Sequence, residues 1–263
     1  MNFIAEKIGS GISRGIFISS GSEVAVELAA AAGFDWVLLD MEHGLGDESK
    51  ILSMIRCLDA TGTAPIVRIP ALREEYIKHV LDYGAAGIMC PMVRSVEDVH
   101  ELLACMRYSP QGRRGLIAGS RASRYGEDFT TYFERANSEL LCVVQIETEA
   151  ALEKVDAIAA VDGVDVLFLG HSDMSLALGC HGDYGHDSMV TAEQNILRAA
   201  LKHEKTAGML LKHGMDEGSY VKRGFHFMAV GSDIRCLRAG YKKLATDTNI
   251  PENGGERRRQ TGT

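Results

Sequence analysis

Eight short apolar segments recur along this chain, most of them followed by a helical pattern, and this repeat constrains the fold more than any other feature. The segments are residues 15–19, 36–40, 64–68, 87–90, 141–146, 164–169, 207–211 and 225–230. Runs such as Trp36-Val37-Leu38-Leu39 do not alternate with polar residues, which indicates strands that are buried on both faces of a parallel sheet.

The segments between these strands have amphipathic or alanine-rich helical patterns. They include residues 23–32, 49–59, 76–83, 96–106 and 192–204, and glycines such as Gly33 and Gly84 mark helix ends. The repeated order of helix, glycine and strand predicts an α/β fold, a single-domain (β/α)8 TIM barrel over residues 1–246. An open sheet would carry a G-x-G-x-x-G turn after an early strand, and the sequence has none.

Composition narrows the class of protein. Apolar residues make up 46% of the 263 residues, but no run reaches the roughly 18 residues of a membrane span, so no membrane partner is expected. The net charge of −8, without a long basic run in the predicted domain, argues against nucleic acid as a partner. Charges within residues 1–7 argue against a secretory signal, and the six cysteines form no C-x-x-C pair, so a cytoplasmic protein with reduced thiols is expected.

Two segments fall outside the repeat. Residues 108–137 form a long insertion between the fourth and fifth predicted strands, and connections of this length are functional loops or carry helices of their own. The tail, residues 247–263, is polar and glycine-rich and is predicted to be disordered, with its three consecutive arginines solvated.

Acidic residues follow the fifth and sixth predicted strands. Glu147 comes directly after residues 141–146, and Asp173 lies four residues beyond residues 164–169. Because the carboxyl ends of barrel strands meet at one mouth, two acids from neighbouring strands make an oxygen-rich site that suits a hard divalent cation. Gln145 lies on the same face of its strand as Glu147 and can bond a substrate oxygen or a metal-bound water.

Other strand ends carry groups suited to acid–base chemistry and anion binding. Asp40, Glu42 and His43 follow the second strand, where His43 is either a general acid or base or a loop histidine bonded to backbone. Arg68 ends the third strand and either binds a ligand carboxylate or forms an ion pair with Glu42 or Asp82. Asp82 ends a helix, so it is a surface acid or an indirect partner of the site.

The loop after the sixth strand, Gly170-His171-Ser172-Asp173, adds backbone N–H groups that can hold a carboxylate or enolate oxygen, with His171 in a supporting role. Residues 180–186 are histidine-rich without regular ligand spacing and suit a polar loop facing the substrate or an interface. Lys212, just past the seventh strand, is the one candidate for a Schiff-base lysine, and a lysine mechanism is disfavoured beside the carboxylate pair.

Five motifs in order resemble the HpcH/HpaI family of metal-dependent, class II pyruvate aldolases. They lie within residues 34–44, 65–68, 107–115, 144–148 and 170–175, and the resemblance runs from about Gly15 to Ala239. It implies a (β/α)8 barrel assembled as a homohexamer, a trimer of dimers, with the last helix exchanged between subunits. It also implies cleavage of a 4-hydroxy-2-oxo acid to pyruvate and an aldehyde through a pyruvate enolate stabilised by a metal ion.

The resemblance assigns roles to particular residues. Glu147 and Asp173 would bind Mg²⁺, Mn²⁺ or Co²⁺, and Arg68, with Gln145 beside it, would hold the pyruvate. His43 would shuttle the proton, helped by Asp40 and by Asp82 of a neighbouring subunit, and the backbone at Gly170 and Ser172 would bind the pyruvate carboxylate.

One departure leaves an alternative open. Common aldolases of the family read Gly-Pro-Ala-Asp where this chain reads Gly170-His171-Ser172-Asp173, a variant that is similar to the branch containing macrophomate synthase. An oxaloacetate decarboxylase or another enolate C–C bond-forming enzyme is therefore the alternative within the same chemistry. A non-catalytic binder of a small oxo acid is the alternative outside it.

Overall fold

The computed structural model describes residues 11–246 and confirms the barrel. Eight parallel strands pair in sequence order and close on themselves. They are β1 (Ser13–Ile18), β2 (Trp36–Asp40), β3 (Ala64–Arg68), β4 (Gly87–Cys90), β5 (Leu141–Ile146), β6 (Val166–Leu169), β7 (Thr206–Leu210) and β8 (Phe225–Ser232). The bounds of β2 to β5 are those predicted from the sequence.

Helices follow the strands around the outside of the barrel. They are α1 (Glu23–Ala31), α2 (Glu48–Arg56), α3 (Glu74–Asp82), α4 (Val96–Met106), α5 (Phe129–Glu139), α6 (Glu149–Glu153), α7 (Val155–Ala159), α8 (His171–Ala177), α9 (Asp187–Lys202), α10 (Glu217–Arg223) and α11 (Asp233–Thr246). Within residues 11–246 no helix is long and apolar enough to cross a membrane. The insertion carries its own helices, namely α5 and a kinked 3₁₀ segment at Arg121–Gly126.

Local sequence explains where several helices begin. The side chains of Ser22, Asp47, Ser95 and Thr148 each accept a backbone hydrogen bond from the residue three positions later, before α1, α2, α4 and α6. Such capping satisfies a backbone N–H that has no partner within the helix. The caps fix the points at which the chain leaves the loops at the mouth of the barrel.

The barrel interior is filled by apolar side chains, and polar side chains lie at the C-terminal ends of the strands. This arrangement places the site at the C-terminal mouth. Trp36 fills the interior and stacks on Phe227, with ring centroids 4.1 Å apart and planes 1° apart. Gly15 makes room for this indole, because a Cβ atom at Gly15 would lie 2.1 Å from the Trp36 ring. Along β2, alternation leads from Trp36 through Leu38 to Asp40, so the carboxylate lies at the C-terminal mouth, where barrel enzymes place their chemistry.

Candidate active site

A cavity of about 300 Å³ opens at the carboxyl ends of the strands. It brings together eight of the nine site residues predicted from the sequence, namely Asp40, His43, Arg68, Gln145, Glu147, Gly170, Ser172 and Asp173. The same cavity is lined by Phe17 and Ser19, which the sequence did not indicate, and by Lys212, which the sequence offered only as a disfavoured Schiff-base lysine. The eight residues come from four different strand ends or the loops after them, those of β2, β3, β5 and β6.

Arg68 and Asp40 form a buried, two-pronged ion pair across β2 and β3, where they lie directly opposite each other. Arg68 Nε donates to Asp40 Oδ1 at 2.9 Å, and Nη2 donates to Oδ2 at 2.7 Å. Burial acts to raise the pKa of Asp40, but the hydrogen bonds and charge of Arg68 outweigh it, so the pKa is lowered. Asp40 is therefore an ionised anchor for the guanidinium.

Glu42 is the second partner of Arg68, with its Oε2 atom 3.0 Å from Nη1. Of the two ion-pair partners considered for Arg68 from the sequence, Glu42 is confirmed and Asp82 is wrong. Burial raises the pKa of Glu42 above its ordinary value, against the opposing charges of Arg68 and His43. Arg68 still lines the cavity, with its Cζ atom 5.3 Å from the centroid of the Phe17 ring.

His43 presents its imidazole to the cavity opening, with the side chain 66% exposed and Nε2 3.9 Å from Glu42 Oε2. The bond from His43 to Asp40 is made by the backbone, whose N–H donates to Asp40 Oδ1 at 3.2 Å. The backbone N–H of Glu42 donates to the same oxygen at 3.1 Å. Asp40 thus shapes the loop that carries the imidazole, and the ring keeps access to solvent and ligand.

Glu147 is a buried residue of the same cavity and is held by two donors. The Met92 backbone N–H donates to Oε1 at 2.7 Å, and Gln145 Nε2 donates to Oε2 at 2.7 Å. Burial is the main cause that raises the pKa of Glu147 to about 7, with Glu42 and Asp173 adding to it. Met92 adopts a left-handed backbone (φ 54°), a feature that the sequence did not signal.

The residues present suit a divalent cation. Glu147 and Asp173 line one cavity, mutual repulsion contributes to the raised pKa of Glu147, and the buried Gln145 Oε1 atom has no hydrogen-bond partner in residues 11–246. Across that range, no three or more His, Cys, Asp or Glu side chains cluster as metal ligands. A cation here would use two carboxylates and take its other oxygens from ligand or water, as Mg²⁺ commonly does.

Gly170 is required by the packing against Glu147. A Cβ atom at this position would lie 2.2 Å from Glu147 Oε2 and 2.7 Å from Glu147 Cβ. Because glycine has no Cβ atom, the start of α8 can approach the Glu147 carboxylate. This approach brings Ser172 and Asp173 to the same cavity.

His171 has the supporting position expected from the sequence. Its Nε2 atom is 3.3 Å from Glu193 Oε1 in α9, and Glu193 Oε2 pairs with Arg223 at the end of α10. The imidazole also contacts the edge of the Tyr184 ring, with centroids 5.6 Å apart. These contacts fasten the first residue of α8 to two outer helices and to the 180–186 loop.

Asp82 lies at the end of α3 and does not line the cavity of its own chain. Its Oδ1 atom accepts a hydrogen bond from Arg114 Nη2 at 2.7 Å. Arg114 is fully buried, with its Cζ atom 4.6 Å from the Tyr108 ring centroid and 5.7 Å from that of Tyr132. Arg114, which belongs to the insertion at residues 108–137, therefore holds Asp82 outside the cavity of its own chain.

A barrel mouth that combines an acid pair, a buried arginine and an accessible imidazole is typical of a TIM-barrel enzyme. Comparison with known proteins identifies the family. Residues 13–239 match the HpcH/HpaI aldolase/citrate lyase family, and the chain belongs to it. It is an aldolase, a carbon–carbon lyase.

Individual relatives agree with this assignment. A 5-keto-4-deoxy-D-glucarate aldolase of Shigella boydii is 36% identical over 234 residues, which are 89% of this chain and 91% of that protein. A crystal structure of an HpcH/HpaI aldolase/citrate lyase family protein from Burkholderia cenocepacia has a TM-score of 0.88 and 30% identity, covering 93% and 98% of the two chains. Macrophomate synthase has a TM-score of 0.79 and 26% identity, covering 92% and 85%.

Proposed function

We propose that this aldolase cleaves a 4-hydroxy-2-oxo acid to pyruvate and an aldehyde and depends on a divalent cation. The observation that carries the proposal is the single cavity in which the Glu147–Asp173 acid pair faces Arg68 and His43. The named relative, a 5-keto-4-deoxy-D-glucarate aldolase, supports an oxygen-rich sugar acid as the substrate.

Glu147 and Asp173 are the proposed ligands of Mg²⁺, Mn²⁺ or Co²⁺, with Gln145 beside them. When bound, such a cation supplies Lewis acidity toward the carbonyl oxygen of a 2-oxo acid. The backbone N–H groups at Gly170 and Ser172 are proposed to bind the substrate carboxylate. Arg68 lines the cavity, and Asp40 and Glu42 fix the position of its guanidinium.

His43 is the proposed proton carrier. It accepts the proton of the 4-hydroxyl group while the C3–C4 bond breaks and the C4 oxygen becomes the aldehyde. The bonding electron pair passes to C3 and delocalises to the C2 oxygen, where Arg68 stabilises the negative charge of the enolate. Return of a proton to C3 gives pyruvate, and Asp40 supports these steps by ordering the His43 loop.

The test is metal-dependent turnover in a folded variant. We expect Glu147→Gln to abolish aldehyde release while circular dichroism stays unchanged. We also expect the wild type to exchange the methyl protons of pyruvate with D₂O when Mg²⁺ or Mn²⁺ is present and not with EDTA. Full activity of Glu147→Gln with chelator present would refute the proposal.

An oxaloacetate decarboxylase, or another enzyme that joins an enolate to an acceptor, is the second candidate. Two observations favour it, namely His171-Ser172 before the metal acid and the structural similarity to macrophomate synthase. Decarboxylation of oxaloacetate well above the rate with free metal, together with no aldehyde turnover, would select it. A rate equal to that of free metal would dismiss it.

We further propose a homohexamer in which α11 is exchanged between subunits and Asp82 of one subunit serves the His43 of another. Within α11 (Asp233–Thr246) Asp233 alone is buried, whereas Ile234, Leu237, Tyr241 and Leu244 are exposed apolar residues. An apolar surface of this kind favours a protein partner.

All six cysteines are unpaired, which supports a cytoplasmic location.

A further inference from the structure

Lys212 lines the cavity, and although the charge of Asp173 acts on it, no carboxylate of the described residues forms an ion pair with it. Arg68 also lines the cavity, but Asp40 and Glu42 already bind it. For Lys212, no carboxylate within residues 11–246 lies inside the 4.0 Å of an ion pair with Nζ, and its hydrogen-bond partner is the neutral Ser172 hydroxyl at 2.8 Å. Its ammonium has three donors, so two remain for a ligand.

The surroundings of Lys212 suit the binding of an anion. Nζ lies 5.9 Å from the centroid of the Tyr184 ring, on the loop that also contacts His171. Burial lowers the pKa of Lys212, which means that the charged form lacks solvation that a bound anion can replace. Ser172, which fixes the ammonium, is the neighbour of the proposed metal ligand Asp173, so the lysine faces the space where substrate would lie.

We propose that Lys212 is a specificity-determining residue that binds a carboxylate of the substrate. This inference rests on the proposed function and deepens it, since it names the group that selects among substrates. The carboxylate has two possible sources, either a second acid group on the aldehyde portion or the carboxylate of the 2-oxo acid itself. In both cases the contact is an ion pair within a partly desolvated cavity, where it is stronger than on the surface.

Kinetics with matched acceptors test the proposal and separate the two sources. Aldol addition of pyruvate is measured with glyoxylate against acetaldehyde and with 4-oxobutanoate against butanal, so each pair differs in its acid group. If Lys212 binds the acceptor, Lys212→Met lowers kcat/KM at least tenfold for one or both acidic aldehydes and less than twofold for the neutral ones. If it binds the 2-oxo acid, the KM for pyruvate rises at least tenfold with every aldehyde.

Two controls exclude a general loss of structure. Lys212→Arg keeps the charge and is expected to retain the acid preference, or the pyruvate KM, within a few-fold of the wild type. Lys202→Met removes an exterior lysine that pairs with Asp156 and is expected to change neither quantity. The proposal would be overturned if Lys212→Met kept kcat/KM for every aldehyde, and the KM for pyruvate, within twofold of the wild type.

A binding measurement keeps this inference separate from the aldolase proposal. Saturation-transfer NMR with millimolar succinate and EDTA is expected to show binding to the wild type and at least tenfold weaker binding to Lys212→Met. If this holds while no aldehyde is turned over, the aldolase proposal fails and the role of Lys212 stands. Equal signals for the two proteins, or no signal for the wild type, would contradict the role of Lys212.

Discussion

At the scale of single residues, the site depends on charges that fix one another. Arg68 meets Asp40 through two parallel hydrogen bonds, a geometry that a guanidinium provides and an ammonium does not. Both residues are buried, so removing one partner leaves the other charge without solvent and without a counter-ion. The pair therefore contributes to stability and to the site together.

The first prediction separates these two contributions. Arg68→Met is expected to lower the free energy of unfolding by about 3–5 kcal/mol, because it leaves Asp40 buried and unpaired. The double variant Arg68→Met with Asp40→Asn is expected to recover much of that loss in urea titrations while remaining inactive. Equal destabilisation of the single and double variants would show that the charge pair is not the cause.

Glu147 provides a pH-dependent prediction for the metal-free protein. Its pKa is raised from 4.5 to about 7, so the folded state binds this proton more tightly than the unfolded state. The tighter binding of this proton adds about 3 kcal/mol to the free energy of unfolding. The contribution is fully present below about pH 4.5 and is lost as the pH rises through 7. Thermal unfolding in EDTA from pH 5 to 8 measures the decline, and Glu147→Gln is expected to lack this component.

Which residues reach the site was predictable, but their mutual contacts were not. Glu147, Arg68 and His43 follow apolar runs, and strand ends of a barrel converge on one mouth. The Asp40–Arg68 pair depends on the register of β2 against β3, which two separate runs of sequence do not specify. The bond from Lys212 to Ser172 links residues 40 positions apart and needs the closed barrel to bring them together.

At the scale of elements, helix and strand limits follow local chemistry where that chemistry is regular. The bounds of β2 to β5 were predicted because each apolar run is continuous. The prediction for α9 began five residues late, since this helix starts at Asp187 and is capped by His186, whose ring nitrogen accepts from Ser188, and histidine is an uncommon cap. The prediction for β6 began two residues early because Val164 is buried without belonging to the strand.

The interior of the barrel gives the element-scale prediction. Gly15→Ala in β1 would place a Cβ atom 2.1 Å from the nearest atom of the Trp36 ring, so we expect destabilisation of about 1–3 kcal/mol or more from overpacking. Gly231→Ala in β8 is the matched control, because a Cβ atom there has no neighbour within 4 Å. Urea unfolding of the two variants makes the comparison, and equal stabilities would refute this account of the interior.

At the scale of the whole molecule, the single chain leaves apolar surface at one side of the barrel. α1 exposes Val24 and Leu28, and Leu237 of α11 borders the same groove of about 300 Å³. Apolar lining and exposed leucines on two helices suit a contact with another subunit.

The last prediction tests this assembly through its apolar contacts. Leu28→Glu and Leu237→Glu each place a charge in the proposed interface, where burial without a partner is costly, so both variants are expected to dissociate into smaller species. Light scattering after size exclusion measures the mass, and activity is expected to fall with it if a neighbouring Asp82 completes each site. Leu201→Glu, on the exposed face of α9, is the control and is expected to keep the wild-type mass. Unchanged mass in all three variants would mean that α11 does not hold the assembly together.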